Sequence, residues 1–284
     1  MASSDNILQS VLREPPQSPL PVTYQWLLPN LKGLRDFLAA RASVDKVSSR
    51  QPQSAHSTPP HAEMPPSQES NQPRHEVSIF MSATETFSQK NTNCSIAESL
   101  ERFKPLITLS RDEGFSVRAY ISVALGCPFE GPDVNPHRVA ELAATLLEMG
   151  ADEISVADTT GMGTAPRTRE LLRTLSSAGV QNGDLALHFH DTFGQALVNT
   201  LVGLEHGIRT FDSAVGGLGG CPYSPGATGN VATEDLVHLL HSLGFRTGVD
   251  MEAISKIGQW ITEEKLQKPN GSRAGKATIA SLEK

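Results

Sequence analysis

The sequence predicts an α/β fold, a parallel sheet wrapped by helices, and three observations predict it. Short apolar runs recur from residue 76 onward: VSIFMSA, VRAYISVAL, EISVADT, LALHFHD and RTFDSAVGG. Each is separated from the next by a stretch with helical apolar spacing, such as NPHRVAELAATLLEMG or APRTRELLRTLSSAG. Strands joined by helices in this alternation pair in parallel, because a parallel neighbour is reached only by a crossover.

Residues 1–20 are polar and carry prolines without a clear period, so they read as an irregular N-terminal segment. In residues 21–42, Val22–Leu28 has the composition of a strand, Pro29-Asn30 breaks it, and Leu31, Leu34 and Leu38 then share one helical face. Residues 43–75 are rich in Ser, Gln, Pro and His and almost free of large apolar side chains. Such a segment buries too little surface to offset its ordering entropy, so a disordered polar insert is expected there. Its histidines, His56, His61 and His75, are read as part of that insert rather than as a metal site. Residues 76–270 are the main body and 271–284 a flexible tail. With Val22–Leu28 counted, the sheet has roughly six strands where a closed barrel needs about eight, so the expectation is an incomplete TIM-type (β/α)8 barrel.

Bulk properties narrow the function. The chain has 284 residues and a net charge of −7, without a Lys/Arg block, so a nucleic-acid partner is not expected. No apolar run approaches the ~18 residues that cross a membrane. The three cysteines, Cys94, Cys127 and Cys221, form neither a disulfide framework nor a C-x-x-C pair, which fits a reducing compartment. MASSDNILQSVLREPP lacks the apolar stretch of a secretory signal, and the expected location is cytoplasmic.

Three features can carry chemistry. In LALHFHD, alternate side chains share a face, so Leu185, Leu187 and Phe189 point one way and Ala186, His188 and His190 the other. Two imidazoles at the C-terminal end of a parallel strand suit a divalent cation, or else are two histidines satisfied by neighbours. The glycine-dense run Gly216–Tyr223, continuing to Asn230, allows turns closed to other residues. Cys221 within it is either a proton-handling thiol or an incidental one. Asp158, ending EISVAD, either faces a site or caps the next helix. Arg118, in a buried run, needs an anion, from the protein or from a substrate.

Together these segments resemble hydroxymethylglutaryl-CoA lyase. The resemblance rests on SATETFSQKNTNCSIAESLERF, VRAYISVALGCPFEG, EISVADTTGMGTAP, LALHFHDTFGQAL and DSAVGGLGGCPYSPGATGNVATEDLVHLL, and resumes at TYQWLLPNLKGLRDFLAA before the polar insert. It spans about residues 76–270, and the Cys loop is its most specific part. It implies a metal-dependent lyase that cleaves 3-hydroxy-3-methylglutaryl-CoA to acetoacetate and acetyl-CoA by a retro-Claisen step, as in leucine degradation and ketone-body formation. A divalent cation, Mg or Mn, is implied as cofactor, with His188, His190 and Asn230 matching its ligands. Cys221 matches the thiol that handles a proton at the acetyl-CoA carbon, and Asp158 an acidic group assisting proton transfer. Arg118 matches no assigned position. An acyl-CoA substrate is implied, a homodimer is compatible with it, and the mitochondrial matrix is the family-based alternative location. The family's opening Arg-Asp strand and the following Glu strand have no counterpart in residues 1–20, so a catalytically impaired chain that binds CoA or a partner is the alternative reading.

Overall fold

Alternation of apolar residues forms the strands, and the register between them decides which side chains meet. The computed structural model describes residues 4–16, 18, 20–48, 74–220, 229–282 and 284. Six strands, β1 (Thr23–Leu27), β2 (Arg74–Ser82), β3 (Ser116–Ser122), β4 (Glu153–Asp158), β5 (Leu185–Phe189) and β6 (Thr210–Asp212), pair in parallel and in chain order. Val77, Ile79 and Met81 lie level with Val117, Ala119 and Ile121, and Ala119 and Ile121 with Ile154 and Val156. These residues are essentially fully buried, and each contributes about 1.5–3 kcal/mol through removal from water if it is a large aliphatic. The other face carries Glu76, Ser78, Arg118, Tyr120, Glu153, Ser155, His188 and Asp212 and forms the polar interior of a curled, incomplete barrel wall.

Helices cover the apolar face. They are α1 (Ser4–Arg13), α2 (Leu31–Ser48), α3 (Glu85–Thr92), α4 (Ile96–Asp112), α5 (Pro136–Glu148), α6 (Ala165–Ser177), α7 (Ala196–Glu205), α8 (Thr233–Ser242), α9 (Met251–Gln259, continued by a π-turn at Trp260–Lys265) and α10 (Arg273–Leu282). Several starts are written locally. Ser95 and Glu98 form a reciprocal capping box on α4, Asn135 accepts from His137 N–H ahead of Pro136 on α5, and Asp250 accepts from Ala253 N–H on α9.

Three boundaries differ from expectation. Residues 1–20 are not wholly irregular: α1 forms because Leu8 and Leu12, four apart, meet the core through α2. Helix α2 continues past residue 42 to Ser48, with Val44 buried, and β2 already begins at Arg74. The expected insert at 43–75 therefore reduces to residues 49–73, which lie outside the described residues. The C-terminal 271–284 holds α10 rather than a free tail. Asp235 on α8 accepts from Ala274 N–H at 2.7 Å and from Ser272 Oγ at 2.7 Å, so the helix start is tied down from another element. The local sequence concealed this because the acceptor, Asp235, lies on another helix. Among the described residues, no helix is long and apolar enough to cross a membrane.

Candidate active site

The C-terminal ends of β4, β5 and β6 carry the functional groups to one rim. Beyond β5 the chain is stitched to residues 229–231. Val231 N–H donates to Phe189 O at 3.0 Å, Asp191 N–H to Gly229 O at 3.1 Å, and His190 and Asn230 form a bridge. Asn230, forty residues after His190 in sequence, is thus placed beside it. The rings of His188 and His190 lie 5.3 Å apart, on the same side of the strand. His190 is 6% exposed, yet among the described residues its Nδ1 has no hydrogen-bond partner. Asn230 donates from Nδ2 to Leu218 O at 2.9 Å, and its Oδ1 is likewise buried and unpartnered among the described residues. Burial, with the nearby His188, lowers the His190 pKa to about 4, so this ring is neutral at physiological pH.

Two buried atoms without partners among the described residues, beside a second imidazole, suit a divalent cation that takes neutral nitrogen and oxygen donors. Among the described residues, no three His, Cys, Asp or Glu side chains converge into a metal-holding group. The third donor here is an amide, Asn230. The residues present therefore fit a cation with at least one ligand position left to water, substrate or other groups.

Asp158, at the end of β4, is fully buried. Its Oδ2 accepts from Gly163 N–H at 2.9 Å, and Thr160 Oγ1 lies 3.5 Å from its Oδ1. Burial pushes the carboxyl up to about 6, against the lowering effect of the surrounding N–H donors. The turn that supplies them is held from behind: Asn199 Nδ2 donates to Gly163 O at 2.9 Å, and Thr168 Oγ1 donates to Asn199 at 3.0 Å. Gly163 admits no side chain, since a Cβ there would sit 2.7 Å from Asp158 Oδ2. The neighbouring β3 exit is strained as well. Val123 has φ +55°, unusual for a β-branched residue, and its N–H donates to Thr159 Oγ1 at 2.9 Å.

Arg118 finds its anions within the protein. It is 3% exposed, with Nε 2.8 Å from Glu153 Oε2 and NH1 3.0 Å from Asp212 Oδ1. Asp212 also accepts from Ser155 Oγ at 2.9 Å and faces His188 Nδ1 at 3.3 Å. Burial alone would raise the Asp212 carboxyl, but the His188 contact and Arg118 outweigh it and hold it below its usual range.

Two residues escaped the reading of the sequence. Asp212 was visible only as a lone acid in the apolar run RTFDSAVGG. Glu234 looked like an ordinary acid in the first turn of α8. It is buried, and both its carboxylate oxygens accept the Gly216 N–H, at 3.1 and 3.0 Å, which fixes the root of the glycine-rich loop where Gly216 has φ +63°. Cys221 lies outside the described residues. His188, His190 and Asn230 come together at this rim, whereas Asp158 ends the adjacent strand in register with Phe189, so its side chain leaves β4 on the face opposite to His188 and is enclosed by the 159–163 turn.

Comparisons with known proteins bear on this rim. A family model described as HMGL-like matches residues 34–261. The chain is 45% identical over 280 residues to the 3-hydroxy-3-isohexenylglutaryl-CoA/hydroxy-methylglutaryl-CoA lyase of Pseudomonas aeruginosa, covering 99% of this chain and 80% of that protein. It is 40% identical to the cytoplasmic 3-hydroxy-3-methylglutaryl-CoA lyase of Danio rerio, over 98% of this chain and 71% of that one. A mitochondrial relative from Rattus norvegicus shows the same identity over 98% and 73%. Among solved structures, the hydroxymethylglutaryl-CoA lyase of Pseudomonas aeruginosa superposes with a TM-score of 0.81 at 44% identity, covering 99% of this chain and 80% of that chain. An HMG-CoA lyase of Acinetobacter baumannii, in complex with coenzyme A and 3-methylmalate, superposes with a TM-score of 0.76 at 28% identity, covering 96% and 77%.

Proposed function

The chain belongs to the HMGL-like family, and on that premise we propose that it is a carbon–carbon lyase cleaving 3-hydroxy-3-methylglutaryl-CoA to acetoacetate and acetyl-CoA. The observation that carries the reading is the pair of buried, unpartnered atoms, His190 Nδ1 and Asn230 Oδ1, beside the His188 ring at the rim of the sheet. An acyl-CoA as substrate is supported by the coenzyme A complex of the Acinetobacter baumannii relative.

In this reading His188, His190 and Asn230 would hold a divalent cation, Mg or Mn, which would supply Lewis acidity toward the substrate. The chain's own residues do the rest. His190 is kept neutral by burial, as a ligand must be. Asp158, with a carboxyl pKa near 6, exchanges a proton close to neutral pH and assists transfer at the substrate hydroxyl. Loss of that proton lets the C–C bond break, the electron pair passing to the methylene carbon beside the thioester and onto its carbonyl oxygen, to leave acetoacetate and the acetyl-CoA enolate. Cys221 delivers the proton that converts this enolate to acetyl-CoA, from a loop whose root is held by Glu234. The thiol's ordinary pKa, ~8.5, leaves it protonated and ready to donate at neutral pH.

The test is direct. The chain, incubated with 3-hydroxy-3-methylglutaryl-CoA and Mg or Mn, is expected to release acetyl-CoA and acetoacetate in equal amounts, and chelation is expected to stop it. Turnover that is unchanged by chelation and by His190→Ala would overturn the assignment of the site.

A further inference from the structure

We infer that the buried Arg118–Asp212 ion pair fixes the tautomer of His188, which makes Asp212 a positioning residue for the site. The inference rests on the proposed role of His188 as a ligand, and its test separates the two.

Three contacts carry the argument. Asp212 pairs with His188 in the β5–β6 register, so the two side chains stand side by side on the inner face. One carboxylate oxygen, Oδ1, lies 3.0 Å from Arg118 NH1. The other, Oδ2, accepts from Ser155 Oγ at 2.9 Å and faces His188 Nδ1 at 3.3 Å. An ionised carboxylate offers only acceptors. A neutral imidazole meeting one must therefore carry its hydrogen on Nδ1, which leaves the Nε2 lone pair bare. Ligand histidines are commonly oriented in this way by a carboxylate behind them.

Arg118 makes the arrangement directional. It is nearly inaccessible and held on its far side by Glu153, so it cannot turn away from Asp212. It needs an acceptor on the oxygen facing it. In Asp212→Asn, Arg118 claims the amide oxygen and the NH2 group turns toward His188. That ring must then accept at Nδ1 and carry its hydrogen on Nε2, where no lone pair remains for a ligand role. His190 makes the contrast, since among the described residues its Nδ1 has no partner.

The test uses the whole chain, uniformly 15N-labelled and metal-free, read by long-range 1H–15N correlation of the imidazoles. The His188 signals are assigned by their loss in His188→Gln. Wild-type His188 is expected in the Nδ1–H form, Asp212→Asn in the Nε2–H form, and Ser155→Ala unchanged, because that variant leaves the Arg118 and His188 contacts in place. Mn2+ binding, followed by electron paramagnetic resonance, is expected to weaken about 10–100-fold in Asp212→Asn. A wild-type His188 protonated on Nε2, or the same tautomer in Asp212→Asn as in wild type, overturns the inference. So does a shifted tautomer with unchanged Mn2+ affinity. If Asp212→Asn does not fold, the wild-type spectrum alone still decides. Failure of the wild type to bind Mn2+ would instead sink the ligand role of His188, while the tautomer measurement would still judge what Asp212 does.

Discussion

Arg118 and His190 are buried almost equally on the inner face, at 3% and 6% exposure, and are treated in opposite ways. Arg118 lies within 3.0 Å of two carboxylates, Glu153 and Asp212, and Asp212 is tied in turn to Ser155 and His188. His190 keeps a ring nitrogen with no partner, next to the equally unpartnered Asn230 Oδ1. The lower layer pairs its charge with two carboxylates, although Arg118 Nε and NH2 make no well-oriented hydrogen bond there, whereas the rim leaves His190 Nδ1 and Asn230 Oδ1 with no opposite charge beside them. Burial raises the cost of both, since an unpaired polar group inside a protein keeps its full desolvation penalty. Where the protein leaves that penalty standing, a ligand is expected. Asp212 joins the layers, with one oxygen on the floor and one on the rim.

The sharpest way to break this comparison is at the floor. Arg118→Met would leave Glu153 and Asp212 as partly buried carboxylates without their cation, and is expected to cost up to about 3–5 kcal/mol of stability, read from urea denaturation. A loss under ~1 kcal/mol would mean that the floor is not held together by its charges.

The second test concerns chemistry delivered to the rim. Cys221→Ala is expected to lower acetyl-CoA release by ~10²-fold or more, the scale of losing a general acid. Cys94→Ala should change turnover little, because Cys94 is buried, with Sγ 3.2 Å from Ser99 Oγ. Comparable losses in the two variants would point to packing rather than proton transfer.

A third measurement uses pH to test the carboxyl that ends the adjacent strand. The Asp158 carboxyl is raised to about 6 in the folded protein, chiefly by burial, above its ordinary 3.8. The folded state therefore binds this proton more tightly than the unfolded state. That contribution to stability is complete below pH ~4 and is lost as pH rises through ~6, roughly 3 kcal/mol in all. In metal-free buffer, Asp158→Asn should remove this slope, so the wild-type-minus-variant difference should fall across that window. A flat difference would show that the N–H donors around Asp158 offset its burial.

The smallest expected effect is the most discriminating. His190→Leu removes an unpartnered ring nitrogen from a buried place and is expected to alter stability by no more than ~1 kcal/mol in either direction. Mn2+ binding should be lost in the same variant. A large destabilisation with Mn2+ affinity intact would make His190 a structural residue and erase the contrast with Arg118.

Much of this was legible in the chain itself. The period-two apolar runs with helical stretches between them specify parallel strands, and the six read from the sequence are the six observed, with edges within a few residues. The H-x-H spacing puts two imidazoles on one face, because the strand period is local and needs no knowledge of neighbours. Helix α10 was missed for a converse reason. Its apolar content is modest, and its start is fixed by Asp235, thirty-seven residues away from Ser272.

By itself, then, the sequence determined the alternation of elements, the inward face of β5, and the glycine-dense setting of Cys221, all properties written within a dozen residues. Only the tertiary structure decided what those side chains meet. Asp212 stands beside His188 because β6 pairs with β5 in one register, and a shift by one residue would turn the carboxylate to the other face. Asn230 reaches His190 because backbone hydrogen bonds lay residues 229–231 along the end of β5. Arg118 was open to a substrate anion or a protein one until Glu153 and Asp212, on two other strands, were seen to enclose it. Hydrogen bonds and ion pairs act over about 3 Å of space, whatever the separation along the chain, and that distance is set by how strands are registered and stacked.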